Sequence, residues 1–126
     1  MRTGELGIIF DVGQYLFRQG EEGDRMYIIQ EGEVEVIVHS EGREVRVATR
    51  GPGDFVGEAV IFERGKHAAD VRALTAVRVL GADRRNFLRR ANEDPTLVFR
   101  IVQQLSRRVR ESEDEVARLR GESDPR

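Results

Sequence analysis

Residues 51–72 read Gly51-Pro52-Gly53-Asp54-Phe55-Val56-Gly57-Glu58-Ala59-Val60-Ile61-Phe62-Glu63-Arg64-Gly65-Lys66-His67-Ala68-Ala69-Asp70-Val71-Arg72. The first four are turn chemistry: proline presets one backbone angle and glycine supplies the ones other residues avoid. Phe55 and Val56 form a short apolar anchor. Gly57 to Phe62 reads as a brief helix entered through a glycine. The first turn of a helix presents unpaired N–H groups and the positive end of its dipole, which suits an anion. A glycine there lets a ligand come close to the backbone. Glu58 is out of character beside an anion, because a carboxylate repels phosphate; it makes sense as an acceptor for sugar hydroxyls. Arg64, Gly65, Lys66 and His67 then form a cationic or protonatable return, followed by an extended run at residues 69–73.

This stretch resembles the phosphate-binding cassette of the cyclic nucleotide-binding domain. That domain is the sensor module of the catabolite activator protein family, of protein kinase A regulatory subunits and of gated channels. The resemblance rests on Phe55-Val56-Gly57-Glu58 with small and apolar residues after it, then a loop, then His67-Ala68-Ala69. It implies that Glu58 binds the ribose 2′-hydroxyl and that the N–H groups of Gly57, Glu58 and Ala59 hold the phosphate. His67 stands where the family has its phosphate-pairing arginine, and Ala68 where it has serine or threonine. Arginine forks two donors onto phosphate, whereas histidine offers one, in the right protonation state or tautomer. Two readings of His67 therefore stand side by side: phosphate partner, or exposed loop histidine in a site that has drifted. Lys66 and Arg64 either supply charge to the site or face water.

Before the cassette, short apolar runs alternate with glycine-rich turns. Leu6–Phe10, Tyr15–Phe17 and Met26–Gln30 read as strands, with a polar turn over Gln19–Asp24. Val34, Val36 and Val38 alternate with Glu33, Glu35 and Ile37, the period of a half-buried strand with its valines inward. Ser40-Glu41-Gly42 is a hairpin turn, and Val45 and Val47 lie on the return strand. Arg72 falls on the same face as Asp70, which predicts a surface ion pair. Strands at this spacing suggest an antiparallel sandwich or barrel. The resemblance sharpens the fold to mainly β: a jelly-roll-like β-roll followed by a short helix and a long C-terminal helix. In residues, that is a roll with its cassette and short helix over 1–94, a long helix over 95–120, and a polar tail over 121–126. The family's usual N-terminal helices are not expected in this sequence, which is expected to enter almost directly on its first strand.

After the last strand, Val77–Leu80, Asp83 can cap a helix running to Asn92. Asp94-Pro95 is a second start signal, cap followed by proline. From Thr96 to about Leu119 nothing breaks the helix. Val102, Val109 and Val116 take heptad position a; Val98, Leu105, Ser112 and Leu119 take d. β-Branched a residues with leucine at d favour a parallel two-stranded coil, which predicts a homodimer. The other reading is one amphipathic helix lying on its own roll, which Phe99 and Ile101 would broaden. Residues 111–120 are too charged to find a core. The resemblance implies a lid that reaches the purine across the dimer, with Ser112 at the contacting position; a serine merely tolerated at d is the equal alternative.

Composition bounds the rest. The 126 residues, 39% hydrophobic and 35% charged, suit one soluble globular domain with a real core. No apolar run approaches the roughly 20 residues of a membrane helix. The first residues do not form a secretory signal, so the cytoplasm is the expected compartment. Cysteine is absent, which excludes disulfides and thiolate chemistry. A net charge of −2 gives no support for non-specific nucleic-acid binding. Only His39 and His67 could offer nitrogen to a metal, so neither a cupin-type centre nor any other metal or cofactor is expected. His39, beside a hairpin turn, reads as solvated. There is no Ser–His–Asp set and no P-loop, so no enzyme is expected. Only six residues follow Arg120, so direct DNA binding is not expected within this chain. The expected function is a regulatory sensor for a cyclic purine nucleotide, cAMP first and cGMP second. The alternative is the same fold without nucleotide binding, acting as a dimerisation or protein-interaction module.

Overall fold

A computed structural model describes residues 2–4, 7–63 and 65–123. The described residues form nine strands and three helices: β1 (Arg2–Gly4), β2 (Gly7–Phe10), β3 (Tyr15–Phe17), β4 (Arg25–Glu31), β5 (Val34–Ser40), β6 (Arg43–Arg50), β7 (Phe55–Val56), α1 (Ala59–Phe62), β8 (Asp70–Ala73), β9 (Val77–Asp83), α2 (Arg84–Glu93) and α3 (Pro95–Ser123). All strand pairings are antiparallel. One sheet has the order β1-β2-β9-β4-β7 and the other β3-β8-β5-β6. Their facing sides meet in a core of Phe10, Leu16, Phe17, Ile29, Val34, Val56, Val71, Ala73, Val77 and Val79. Two antiparallel sheets and a long C-terminal helix are the β-roll architecture that the glycine-punctuated strands suggest. By compactness the chain divides into residues 1–87 and 88–126.

Several sequence expectations are corrected. β1 is an additional strand, paired to β2 with Thr3 opposite Ile8; three short residues carry no periodicity that could announce it. Leu6, expected in the first strand, and Arg64, expected in the cationic return, lie outside the described residues, as does the tail after Ser123. On β5 only Val34 of the three valines is fully buried, and Ile37, expected outward, is buried too. Ile37 does share the outer face with Glu35, since side chains alternate along a strand. That face carries an ion-paired polar layer. Glu35 accepts from Nε of Arg46 (3.0 Å) and Nε of Arg72 (2.8 Å). The predicted Asp70–Arg72 pair is replaced by two others. Glu35 lies directly opposite Arg72 across the ladder, a shorter reach than two residues along one strand. Asp70, buried, accepts from the Gln19 N–H at 2.7 Å and pairs with His39 Nε2 at 2.6 Å. His39 is thus partnered rather than simply solvated.

In the C-terminal part, the caps form where the sequence places them. The Asn86 N–H donates to Asp83 Oδ1 at 2.8 Å, and the Thr96 N–H to Asp94 Oδ1 at 3.1 Å. α3 continues to Ser123, beyond the expected end near Leu119, because Gly121 alone does not stop a helix. Of the two residues expected to broaden its apolar face, Ile101 is buried and Phe99 is 63% exposed. Val98, Val102, Val109, Val116 and Leu119 are all exposed. No described helix is long and apolar enough to cross a membrane.

Candidate functional site

β7 builds the site from beneath. Phe55 and Val56 pair with Ile28 and Tyr27 of β4, and Phe55 is 2% exposed. Burying two such side chains contributes about 4 kcal/mol of transfer free energy, so the start of the cassette is pinned to the core. The preceding turn is closed by Asp54 Oδ2, which accepts the Gly51 N–H at 3.0 Å. The chain then turns at Gly57, whose φ of +81° is a conformation that side-chain-bearing residues avoid. An added Cβ there would also sit 3.0 Å from Phe17 Cε2 and 3.3 Å from His67 Cε1. Glu58 follows as the cap of α1, its carbonyl accepting from the N–H groups of Ile61 and Phe62. Val60 and Ile61 bury inward and Phe62 packs edge-on against Phe87, which fixes this single turn on the roll.

His67 lies against this corner. Its ring stacks on Phe17 with centroids 3.7 Å apart and planes inclined by 11°. The residue is 6% exposed, and Nδ1 is buried without a hydrogen-bond partner among the described residues. Its backbone is held on both sides by the segment 18–24: the Gly20 N–H donates to the His67 carbonyl and the His67 N–H to the Glu21 carbonyl, each at 2.9 Å. Glu22 and Lys66 form a bridge beside it. Gly23 leaves room for the ring, since a Cβ there would lie 2.4 Å from His67 Nε2. Burial pushes the imidazole below the ordinary 6.5, while the nearby carboxylates of Glu21 and Glu58 pull in the opposite direction without cancelling it.

The sequence-predicted residues thus fall into three groups. Gly57, Glu58, Ala59 and His67 come together at one corner. Phe55 and Val56 support that corner from the core, with side chains turned into it. Ala68 is exposed just after His67, and Ser112 is exposed on α3 beside Glu113, Val116 and Ala117. The exposed-loop reading of His67 is corrected: Phe17, Gly23 and Gly57 enclose the ring. Sequence reasoning missed Phe17, which reads as an ordinary strand residue, and Glu21 and Gly23, because the segment 18–24 reads only as a polar turn. Gly20 and Gly23 within it were the one available signal.

The sequence profile of the cyclic nucleotide-binding domain matches residues 8–94. The chain belongs to this family. It is 32% identical over 111 residues to a CRP-like cAMP-activated global transcriptional regulator of Mycobacterium tuberculosis, covering 87% of this chain and 50% of the relative. Among solved structures, the catabolite activator protein of Thermus thermophilus superposes with a TM-score of 0.77 at 27% identity, covering 89% of this chain and 53% of that one. The regulatory subunit of a cAMP-independent protein kinase A from Trypanosoma brucei gives 0.67 at 34% identity, covering 84% and 39%. The chain spans about half the length of the curated relatives it matches first.

Proposed function

We propose that this chain is a sensor domain that binds a cyclic purine nucleotide, cAMP in preference to cGMP, rather than a catalyst. The observation that carries the reading is the corner itself. A glycine at φ +81°, a glutamate after it and a buried polar ring against both converge on a core-pinned turn. In this reading Glu58 takes the ribose hydroxyl, the amides of Gly57, Glu58 and Ala59 together with His67 take the phosphate, and Ser112 takes the base. Binding favours one disposition of α3 over others and so transmits the signal. The cAMP-activated relative supports this direction. α3 dimerises the chain through its exposed valine and leucine stripe. The test is calorimetric titration with cAMP, cGMP and cyclic dinucleotides. Saturable heat with cAMP, tighter than with cGMP, is expected; silence across the panel overturns the reading.

A second reading has its own support. Ala68 has no hydroxyl to offer a phosphate, and one structural neighbour is described as cAMP-independent. The same fold would then serve only for assembly. His67→Arg separates the two. A guanidinium is planar and stacks on aromatic rings, so Phe17 can carry it. If the amide cradle is intact, this variant tightens cAMP; in the second reading it changes nothing.

A further inference from the structure

The ring slot at residue 67 has a consequence for how an anion is received. In the described corner the charged groups that face His67 are Glu21 from the segment 18–24 and Glu58 from the cassette, both negative. Lys66 is its neighbour in sequence and pairs through its backbone with Glu22. Phe17 and Gly23, which also wall the ring, carry no charge. A cyclic phosphate arriving here meets two carboxylates and an imidazole that is neutral near pH 7. The same imidazole holds a buried nitrogen with no hydrogen-bond partner among the described residues, and an unpaired buried polar atom is destabilising.

We infer that the cassette takes up its anionic ligand together with one proton, carried on the His67 imidazole. This rests on the cyclic-nucleotide reading above. The protonated ring adds a positive charge beside the two carboxylates that face it, and both ring N–H groups become donors. One faces the phosphate and the carboxylates of Glu21 and Glu58 balance the rest. The slot made by Gly23, Gly57 and Phe17 keeps the ring neutral until the anion is present. Free and bound states then differ in proton content, and the difference appears as pH-dependent affinity. The bound ring holds its proton at higher pH than the free ring. Affinity therefore rises as pH falls, by up to tenfold per pH unit between the two values. It levels off once the free ring is itself protonated.

The experiment is calorimetry of the wild-type chain with cAMP across pH 5.5–8, in two buffers of different ionisation enthalpy. A buffer-dependent heat that reports a large fraction of one proton taken up near pH 6.5 is expected. His67→Gln keeps a polar side chain that cannot titrate; it should bind with a flat pH profile and no proton uptake. Should that variant fail to fold, the His67 ring resonances of the wild type decide by NMR: the midpoint lies below 6.5 without cAMP and above it with cAMP. Saturable binding with buffer-independent heat and an unmoved His67 midpoint overturns the inference and leaves the cyclic-nucleotide reading standing. No heat with cAMP or cGMP at any pH overturns both.

Discussion

Gly23 and Gly57 matter at the residue scale because they shape a slot that a flat ring fills. The two are not equivalent. Gly57 needs its positive φ, whereas Gly23 is needed only for the space a Cβ would take from His67. Gly23→Ala therefore pushes the ring off Phe17 without straining the backbone. A buried imidazole below its ordinary 6.5 makes the folded state bind fewer protons than the unfolded one. Its contribution is full above 6.5 and is lost as pH falls below that value toward the folded one. Glu35 and Asp70 do not interfere in this window. Burial alone would raise both carboxyls, but Arg72 and Arg46 on Glu35, and Gln19 and His39 on Asp70, hold them below 4.5 and 3.8. Their contributions are lost only as pH falls through those lower folded values. In urea titrations between pH 5.5 and 7.5 the wild type should lose stability on acidification. Gly23→Ala should be less stable at pH 7.5 by about 1–3 kcal/mol yet show a shallower decline. Parallel profiles for the two proteins would show that His67 is not held by this slot.

At the scale of elements, the β5–β6 hairpin shows how local chemistry speaks in the sequence. Glu41 and Gly42 both take positive φ, 52° and 77°, the pattern of a type I′ turn that matches strand twist. Glycine accepts this freely; glutamate does so at a cost that asparagine largely avoids. Glu41→Asn should stabilise the fold by about 0.5–1 kcal/mol, read as a higher urea midpoint with an unchanged slope; no gain would mean the turn tolerates glutamate without strain. Such turns, and the Asp83 and Asp94 caps, were legible because each depends on a few consecutive residues. The cassette was legible for the same reason. What escaped is long-range. Glu35 meets Arg72 from 37 residues away, and His67 finds Phe17 across half the roll. A valine-glutamate alternation cannot say that the outer face carries a buried carboxylate held by two arginines, nor could a polar turn say that it would wall in a histidine.

For the whole molecule the open question is what covers α3. Val102 is 55% exposed, and Val109, Val116 and Leu119 are similarly bare, although they recur at heptad spacing. With Val102, Val109 and Val116 at position a, Arg108 and Glu115 fall at g, and Glu113 and Arg120 at e. In a parallel in-register pair each g residue faces the e residue five further along the partner. Arg108 then meets the partner's Glu113, and Glu115 the partner's Arg120, so both contacts join opposite charges. An antiparallel pair, which sets g against g and e against e, joins Arg108 to the partner's Glu115 but sets Glu113 against the partner's Ser106 and Arg120 against the partner's Phe99. The charges thus favour the parallel dimer. Because the chain has no cysteine, Ser112→Cys introduces a single thiol at a d position. In the parallel dimer the two thiols face each other and should cross-link on mild oxidation, giving a covalent dimer on non-reducing gels at low protein concentration. Leu105→Glu, which puts like charges into the seam, should abolish that cross-link and give a monomer by light scattering. A Ser112→Cys protein that stays uncross-linked while remaining dimeric would reverse the orientation; one that is monomeric at high concentration would remove the seam altogether.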